Sequence, residues 1–324
     1  MQIAWGYAPT LIIEAALHCR LFDLLDPGPG TVEQLAAQTK TSVRGLSAIL
    51  NALVGLEFLR RDGDRFSLTP ESSAFLVSSR PGYQGAFFRH ISDQLLPRWL
   101  QLSEIVRTGK PAIPLNQQKE GAGFFAEFVE SLFPMSYAAA KALGAHLGIP
   151  QMSGPVSVLD LAAGSGVWGI ALAGLSPQVR VSAVDWPPVL EVTARIARRH
   201  EVEDRFTMIP GDLLQVNFGE RHQVATLGHI LHTEGRDRSR QLLKKTFAAL
   251  APGGTIAIGE FLVADDRSGP PSGLLFAVNM LVNTESGDTF SFEEISAWLR
   301  DAGFTNPRLL DVPAVSPLVL ATKP

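Results

Sequence analysis

Residues 156–170 read VSVLDLAAGSGVWGI, and this stretch decides the fold. An apolar run, Val156 to Leu161, carries Asp160 near its end and gives way to Ala162-Ala163-Gly164-Ser165-Gly166. An apolar, helix-like segment follows from Val167 to Leu175. The order predicts a strand, a tight glycine turn and a helix N-terminus. Small residues let the backbone come close to a ligand, and the unpaired N–H groups of the first helical turn point at it.

Downstream, strand-like and helix-like runs alternate. Strands are expected at 179–184, 206–209, 224–228 and 255–259, with helices at 189–200, 238–250 and 291–302. Two last strands, 308–312 and 317–321, lie close enough in sequence for an antiparallel pair. Repeated βα units predict a parallel sheet with right-handed crossovers and helices on both faces.

Upstream the pattern is helical. Apolar residues recur at helical spacing in 9–25 and 43–53, and Thr31 with Gln34 forms a capping-box start for a helix to Thr39. Residues 58–68 read as a hairpin around Asp62-Gly63-Asp64. Helix, helix, helix, hairpin is the order of a winged helix. Its third helix has only Arg44 to reach a nucleic acid, and the net charge is -4. Phosphate contacts need several Lys or Arg, so the expected role is packing and dimerisation, with no nucleic acid partner. Helical segments at 85–106, broken near Pro97, and at 121–147 lead into the second half. The expected domains are 1–115, helical, and 116–324, α/β, with 116–150 as a linker helix.

Composition narrows the class. The chain has 324 residues, 46% hydrophobic and 19% charged, enough to bury two cores. The one cysteine, Cys19, excludes an internal disulfide and reads as a buried filler. The seven histidines show no metal-ligand spacing, so no metal is expected. No apolar run reaches the ~20 residues of a membrane span, and no signal-like start is seen. A cytoplasmic protein is expected.

In such a sheet a ligand lies over the carboxyl ends of the strands. Those ends carry Asp160 and the glycine turn, Asp185, Asp212 and Glu260, with His229 and His232 after the fourth strand. Gly164 to Gly169 is a full G-x-G-x-x-G, which fits a dinucleotide as well as an adenosine cofactor. Asp185, about 20 residues on, suits a ribose in either case. Asp160 before the turn suits an ammonium group or the turn itself, and Asp212 an adenine amino group. An amino-acid-bearing adenosine ligand accounts for both, whereas an anionic pyrophosphate gains nothing from Asp160.

Asp160-Leu-Ala-Ala-Gly-Ser-Gly166, Asp185-Trp-Pro, Gly211-Asp212-Leu213 and Leu250-Ala-Pro-Gly-Gly254 resemble the motifs of S-adenosylmethionine-dependent methyltransferases. The likeness is closest to two-domain small-molecule O-methyltransferases of the caffeic acid, acetylserotonin and hydroxyneurosporene type, and it covers nearly the whole chain. The resemblance implies a class I methyltransferase Rossmann-like sheet, a winged-helix dimerisation domain and a homodimer. It implies S-adenosyl-L-methionine as cofactor and S-adenosyl-L-homocysteine as product. Asp160, Ala162, Gly164, Gly166, Asp185, Trp186, Gly211, Asp212 and Leu213 would then line the cofactor. His232 would be the general base and Glu260 its orienting partner. Phe133, Met135, His229, Phe276, Met280 and Asn283 are the expected wall of a small-molecule pocket.

The chain departs from the family pattern twice. Thr233-Glu234 stands where Asp-Trp usually follows the histidine, and the second supporting acid falls near Thr289, beside Asp288. The expected reaction is methyl transfer to a hydroxyl of an aromatic or polyketide-like metabolite. Transfer to carbon, nitrogen or sulfur, or a non-methylating role, is the alternative, and the glycine motif by itself also allows a nicotinamide oxidoreductase.

Overall fold

The structure, a computed structural model, describes residues 3–111 and 118–324. It divides into two compact units, Met1–Pro97 and Arg98–Pro324. The expected domain boundary at 115/116 lies outside the described residues.

The first unit begins with α1 (Ala8–His18) and α2 (Leu21–Leu25), where one helix over 9–25 was expected. Arg20 adopts a left-handed φ of 54°, which ends the hydrogen-bond ladder between them. A short strand, β1 (Gly30–Thr31), precedes α3 (Val32–Thr39), which opens on the Thr31–Gln34 capping box. Ser42 caps α4 (Val43–Gly55). The hairpin is β2 (Leu59–Asp62) and β3 (Arg65–Leu68), and β1 adds to its edge as an antiparallel third strand. Leu21, Phe22, Leu50, Leu53 and Phe66 form its dry centre, and Cys19 is only partly buried against it. Next come α5 (Pro70–Phe75) and α6 (Gly85–His90), the latter running into a π-helical turn. Pro97 sits inside the short α7 (Leu96–Trp99).

The second unit continues with α8 (Leu102–Thr108) and α9 (Gln118–His146). Its sheet comprises β4 (Val156–Leu161), β5 (Val179–Asp185), β6 (Phe206–Pro210), β7 (His222–Gly228), β8 (Leu250–Gly259), β9 (Thr305–Leu310) and β10 (Leu318–Thr322). The strand order is β6-β5-β4-β7-β8-β10-β9. The first five strands pair in parallel, and β10 runs antiparallel to both β8 and β9. From β4 the chain winds first toward β6 and then back to β7, so the order reverses between β4 and β7. That reversal opens a crevice at the carboxyl ends of those strands. The helices are α10 (Val167–Leu175), α11 (Pro187–Arg199), α12 (Leu231–Ala249), α13 (Pro271–Asn283) and α14 (Phe292–Ala302).

Two helices differ from the sequence reading. The helix expected from 238 begins at Leu231, because its first turn is a separate piece broken at Gly235 (φ 72°, ψ 176°). The apolar stretch 274–282 is α13, where the sequence reading placed no element. Among the described residues, no helix is long and apolar enough to cross a membrane.

Candidate active site

The turn after β4 is built from the inside. Asp160 is fully buried, and neither carboxylate oxygen is idle: Gly169 N donates to Oδ2 (3.0 Å) and Thr226 Oγ1 to Oδ1 (2.7 Å). It ties α10 and β7 to β4, so any effect on a ligand passes through the turn. Gly164 (φ 57°) and Gly166 (φ 73°) take left-handed conformations, and Gly166 caps α10. Ala162 shares that geometry at φ 52°, a strained position for a residue with a side chain.

Burial pushes the Asp160 carboxyl up to about 7, against the pull of its bonds to Thr226 and Gly169. A carboxyl raised on folding binds its proton more tightly in the folded chain. Its contribution is therefore most favourable below the ordinary value of 3.8 and is lost as pH rises through about 7. Replacing Asp160 by Asn is expected to flatten the fall of melting temperature between pH 4 and pH 7. An unchanged slope in thermal melts across that range would count against the assignment.

Asp185 closes the turn from β5. Gly164 N donates to its Oδ2 (2.9 Å) and Trp186 N to its Oδ1 (2.7 Å). Burial raises it to about 6. Trp186 caps α11 and packs partly buried on the neighbouring core. Beyond β6, Gly211 N donates to Asp185 O (3.0 Å), and Asp212 Oδ1 accepts from Leu214 N (2.8 Å). The Leu213 side chain is buried in the main core, and its carbonyl accepts from Lys245 Nζ (2.7 Å). Asp160, Ala162, Gly164, Gly166, Asp185 and Asp212 thus stand at the ends of three adjacent strands. Of these, Asp185 and Asp212 offer carboxylate oxygens, acceptors suited to hydroxyl and amino groups and not to phosphate.

The first turn of α12 carries His232 against β8. His232 Nδ1 and Glu260 Oε2 lie 2.7 Å apart, and His232 N donates to Glu260 Oε1 (3.2 Å). Both residues are buried. Burial opposes the charge on Glu260, but His232 and then His229 outweigh it and hold the carboxyl below its ordinary range. An ionised Glu260 accepts from Nδ1–H, which leaves the lone pair on Nε2. Asp288 N donates to His232 O (2.9 Å), so residue 288 fixes the turn by its backbone. Thr289 is buried, and its hydroxyl has no hydrogen-bond partner in the structure.

Phe276 on α13 meets the His232 ring edge-on at 4.9 Å and stacks on Phe261 at 4.0 Å. His229, left-handed at φ 62°, lies 5.1 Å from Phe261, and burial lowers its pKa to about 4. The other residues expected to line a pocket have these surroundings. Phe133 stacks on Tyr137 and His200, and Met135 is 44% exposed on α9. Met280 and Asn283 are buried, with Asn283 Nδ2 donating to Asn279 O (2.8 Å). Helical spacing alone does not distinguish a pocket wall from an interhelical contact.

The fold also unites a cluster that sequence spacing concealed. Ligand atoms of His229, His232 and Glu260 lie within 4.8 Å of one another. The 2.7 Å contact between His232 and Glu260 is that of a hydrogen bond. Two ligands on one tetrahedral zinc ion stand roughly 3.3 Å apart. The pair as placed is therefore an imidazole–carboxylate couple.

Comparisons with known proteins give the family and the fold. A family model described as an O-methyltransferase domain matches residues 99–305, and one described as an O-methyltransferase dimerisation domain matches residues 1–78. The 3-hydroxy-5-methyl-1-naphthoate 3-O-methyltransferase of Streptomyces sahachiroi is 30% identical over 95% of this chain and 89% of its own length. The tetracenomycin polyketide synthesis 8-O-methyltransferase TcmO of Streptomyces glaucescens is 27% identical over 100% of this chain and 96% of its own. The solved structure of human N-acetylserotonin methyltransferase in complex with SAM shares the fold. Its TM-score is 0.86 at 24% identity, over 99% of this chain and 96% of that one.

Proposed function

Since this chain belongs to the O-methyltransferase family that joins a dimerisation domain to an O-methyltransferase domain, we propose that it methylates a hydroxyl of an aromatic or polyketide-like metabolite. The observation that carries the reading is the buried His232–Glu260 couple at the sheet's carboxyl end. S-adenosyl-L-methionine is the methyl donor and S-adenosyl-L-homocysteine the product. When bound, the donor supplies a methyl group already activated by the sulfonium charge.

Each residue then has a task. The backbone of Ala162, Gly164 and Gly166 receives the methionine and ribose part, with Asp160 holding that backbone from below. Asp185 takes the ribose hydroxyls on the free lone pairs of its oxygens. Gly211, Asp212 and Leu213 border the adenine, and Trp186 flanks the ribose. Glu260 fixes the imidazole, and His232 Nε2 takes the proton of the acceptor hydroxyl. Alignment and exclusion of water supply the rest of the acceleration. Phe276 and Phe261 offer an aromatic face beside that nitrogen. The two Streptomyces relatives, named for a hydroxynaphthoate and a polyketide pathway, support an acceptor of that class. Residues 1–115 form a homodimer, in keeping with the exposed Ile3, Trp5 and Tyr7 near their start.

The test has two steps. S-adenosyl-L-homocysteine at 100 times its dissociation constant is expected to stabilise the protein by about 2.7 kcal/mol, and NAD is expected to leave the melting temperature unchanged. Incubation with S-adenosyl-L-methionine and a panel of hydroxynaphthoates and polyketide phenols should then yield methyl ethers. Stabilisation by NAD, or methylation only at carbon or nitrogen, would refute the reading.

A further inference from the structure

We propose that Arg238 is a positioning residue whose guanidinium couples the loop carrying Asp212 to the turn carrying His232. This rests on the function proposed above and concerns how the two halves of that site are kept in register.

The residues that replace the family's Asp-Trp motivate the proposal. Thr233 and Glu234 lie in the first turn of α12, and both are buried. Gly235 separates this turn from the body of the helix, with φ 72° and ψ 176°. A Cβ at Gly235 would stand 2.4 Å from Ser286 O, so the break is built in. The turn is thus a detached piece. Its hydrogen bonds to the remainder run through the Glu260 carboxylate, Asp288 N, Ser239 Oγ and the Glu234 side chain, beside the packing of Leu231 in the core.

Arg238 stands on the body of α12, past the break. Its Nε donates to Glu234 Oε2 (2.5 Å) and its Nη2 to Asp212 Oδ2 (2.9 Å). One planar fork therefore joins three pieces: the helix body, the base-carrying turn and the loop after β6. Lysine, a point charge without that fork, cannot hold two carboxylates in the same fixed geometry. An exposed ion pair of this kind contributes little to stability. Here the Glu234 side chain is only 10% exposed. Loss of Arg238 would leave that carboxyl buried without its cation, so that it either takes up a proton or draws the turn outward to water; both change how the turn is held. The turn moves His232; the released Asp212 loosens the adenine side.

Kinetics on the full-length enzyme separate this from a purely structural role. Arg238→Ala is expected to lower kcat about tenfold and raise KM for S-adenosyl-L-methionine about tenfold, the scale of one charged hydrogen bond on each side. Glu234→Gln should lower kcat and leave that KM within about twofold, whereas Asp212→Asn should mainly raise KM. Arg238→Lys should recover only one of the two losses. Arg240→Ala, which removes an exposed pair with Asp301 on the same helix, should change neither. The proposal is overturned if Arg238→Ala lowers only the melting temperature, or if Glu234→Gln and Arg238→Lys both match the wild type. If the wild-type protein neither binds S-adenosyl-L-homocysteine nor transfers methyl groups, the proposed function itself falls, and the coupling with it. Wild-type activity with unaltered Arg238 variants defeats the coupling alone.

Discussion

Replacing His232 with alanine is expected to lower kcat by roughly 10²–10⁴-fold while S-adenosyl-L-homocysteine still binds. The magnitude follows from the role proposed for the side chain. A hydroxyl attacks poorly while it keeps its proton, and His232 Nε2 is the nitrogen left with a lone pair once Glu260 accepts from Nδ1 (2.7 Å). The cofactor contacts assigned to this chain come from the ends of β4, β5 and β6, and none of them uses the imidazole. Catalysis and donor binding should therefore separate. Single-turnover methyl transfer with a phenolic acceptor, alongside calorimetric titration with S-adenosyl-L-homocysteine, checks both. Full turnover in the variant would remove His232 from the mechanism. A parallel loss of cofactor affinity would make it a structural residue of the turn.

The other large effect is expected at Trp168, which belongs to the glycine motif in sequence but lies over the ends of β7 and β8 in space. Its indole is 5% exposed and packs with Leu143, Ala257, Leu318 and Leu320. It fills the space over two glycines: a Cβ at Gly228 would fall 2.0 Å from Trp168 Nε1, and one at Gly259 would fall 3.2 Å from Trp168 Cζ2. Those glycines immediately precede His229 and Glu260, so the indole sets how deep the ends of β7 and β8 sit before these two residues. Trp168→Ala is expected to cost about 3–5 kcal/mol, lowering the melting temperature by roughly 6–20 °C. Gly228→Ala alone should be strongly destabilising as well. The double variant should be less damaged than the sum, because the added methyl enters the space the indole has left. Strict additivity in thermal melts would show that the two positions do not share that space.

The two predictions bear on different kinds of legibility. The strand–turn–helix at 156–170 was readable because its apolar run, its small residues and its following helix follow each other in the chain. The capping box at Thr31 was readable for the same reason: a four-residue stretch suffices to make it. Asp185 and Asp212 could be placed on the ligand side because βα alternation brings the carboxyl ends of successive parallel strands to one edge of the sheet. Helix α13 was missed, since an apolar stretch flanked by prolines and glycine carries no distinctive period. The split between α1 and α2 was missed because nothing in the residue type of Arg20 announces a left-handed φ.

The resemblance to a known family singled out His232 and Glu260; from the residue patterns themselves came the α/β class, the order of strands along the chain and the glycine turn after β4. These depend on local patterns, and local patterns are set by neighbours a few residues apart. Only the tertiary structure decided that Asp160 faces inward to Gly169 and Thr226, that Trp168 lies over Gly228 and Gly259, and that Arg238 joins Glu234 to Asp212. Apart from Glu234–Arg238, four residues apart in α12, each of those contacts joins different elements of the fold. Their partners are selected by burial, where an unpaired charge or an unfilled gap costs free energy, and burial is a property of the packed sheet and its helices.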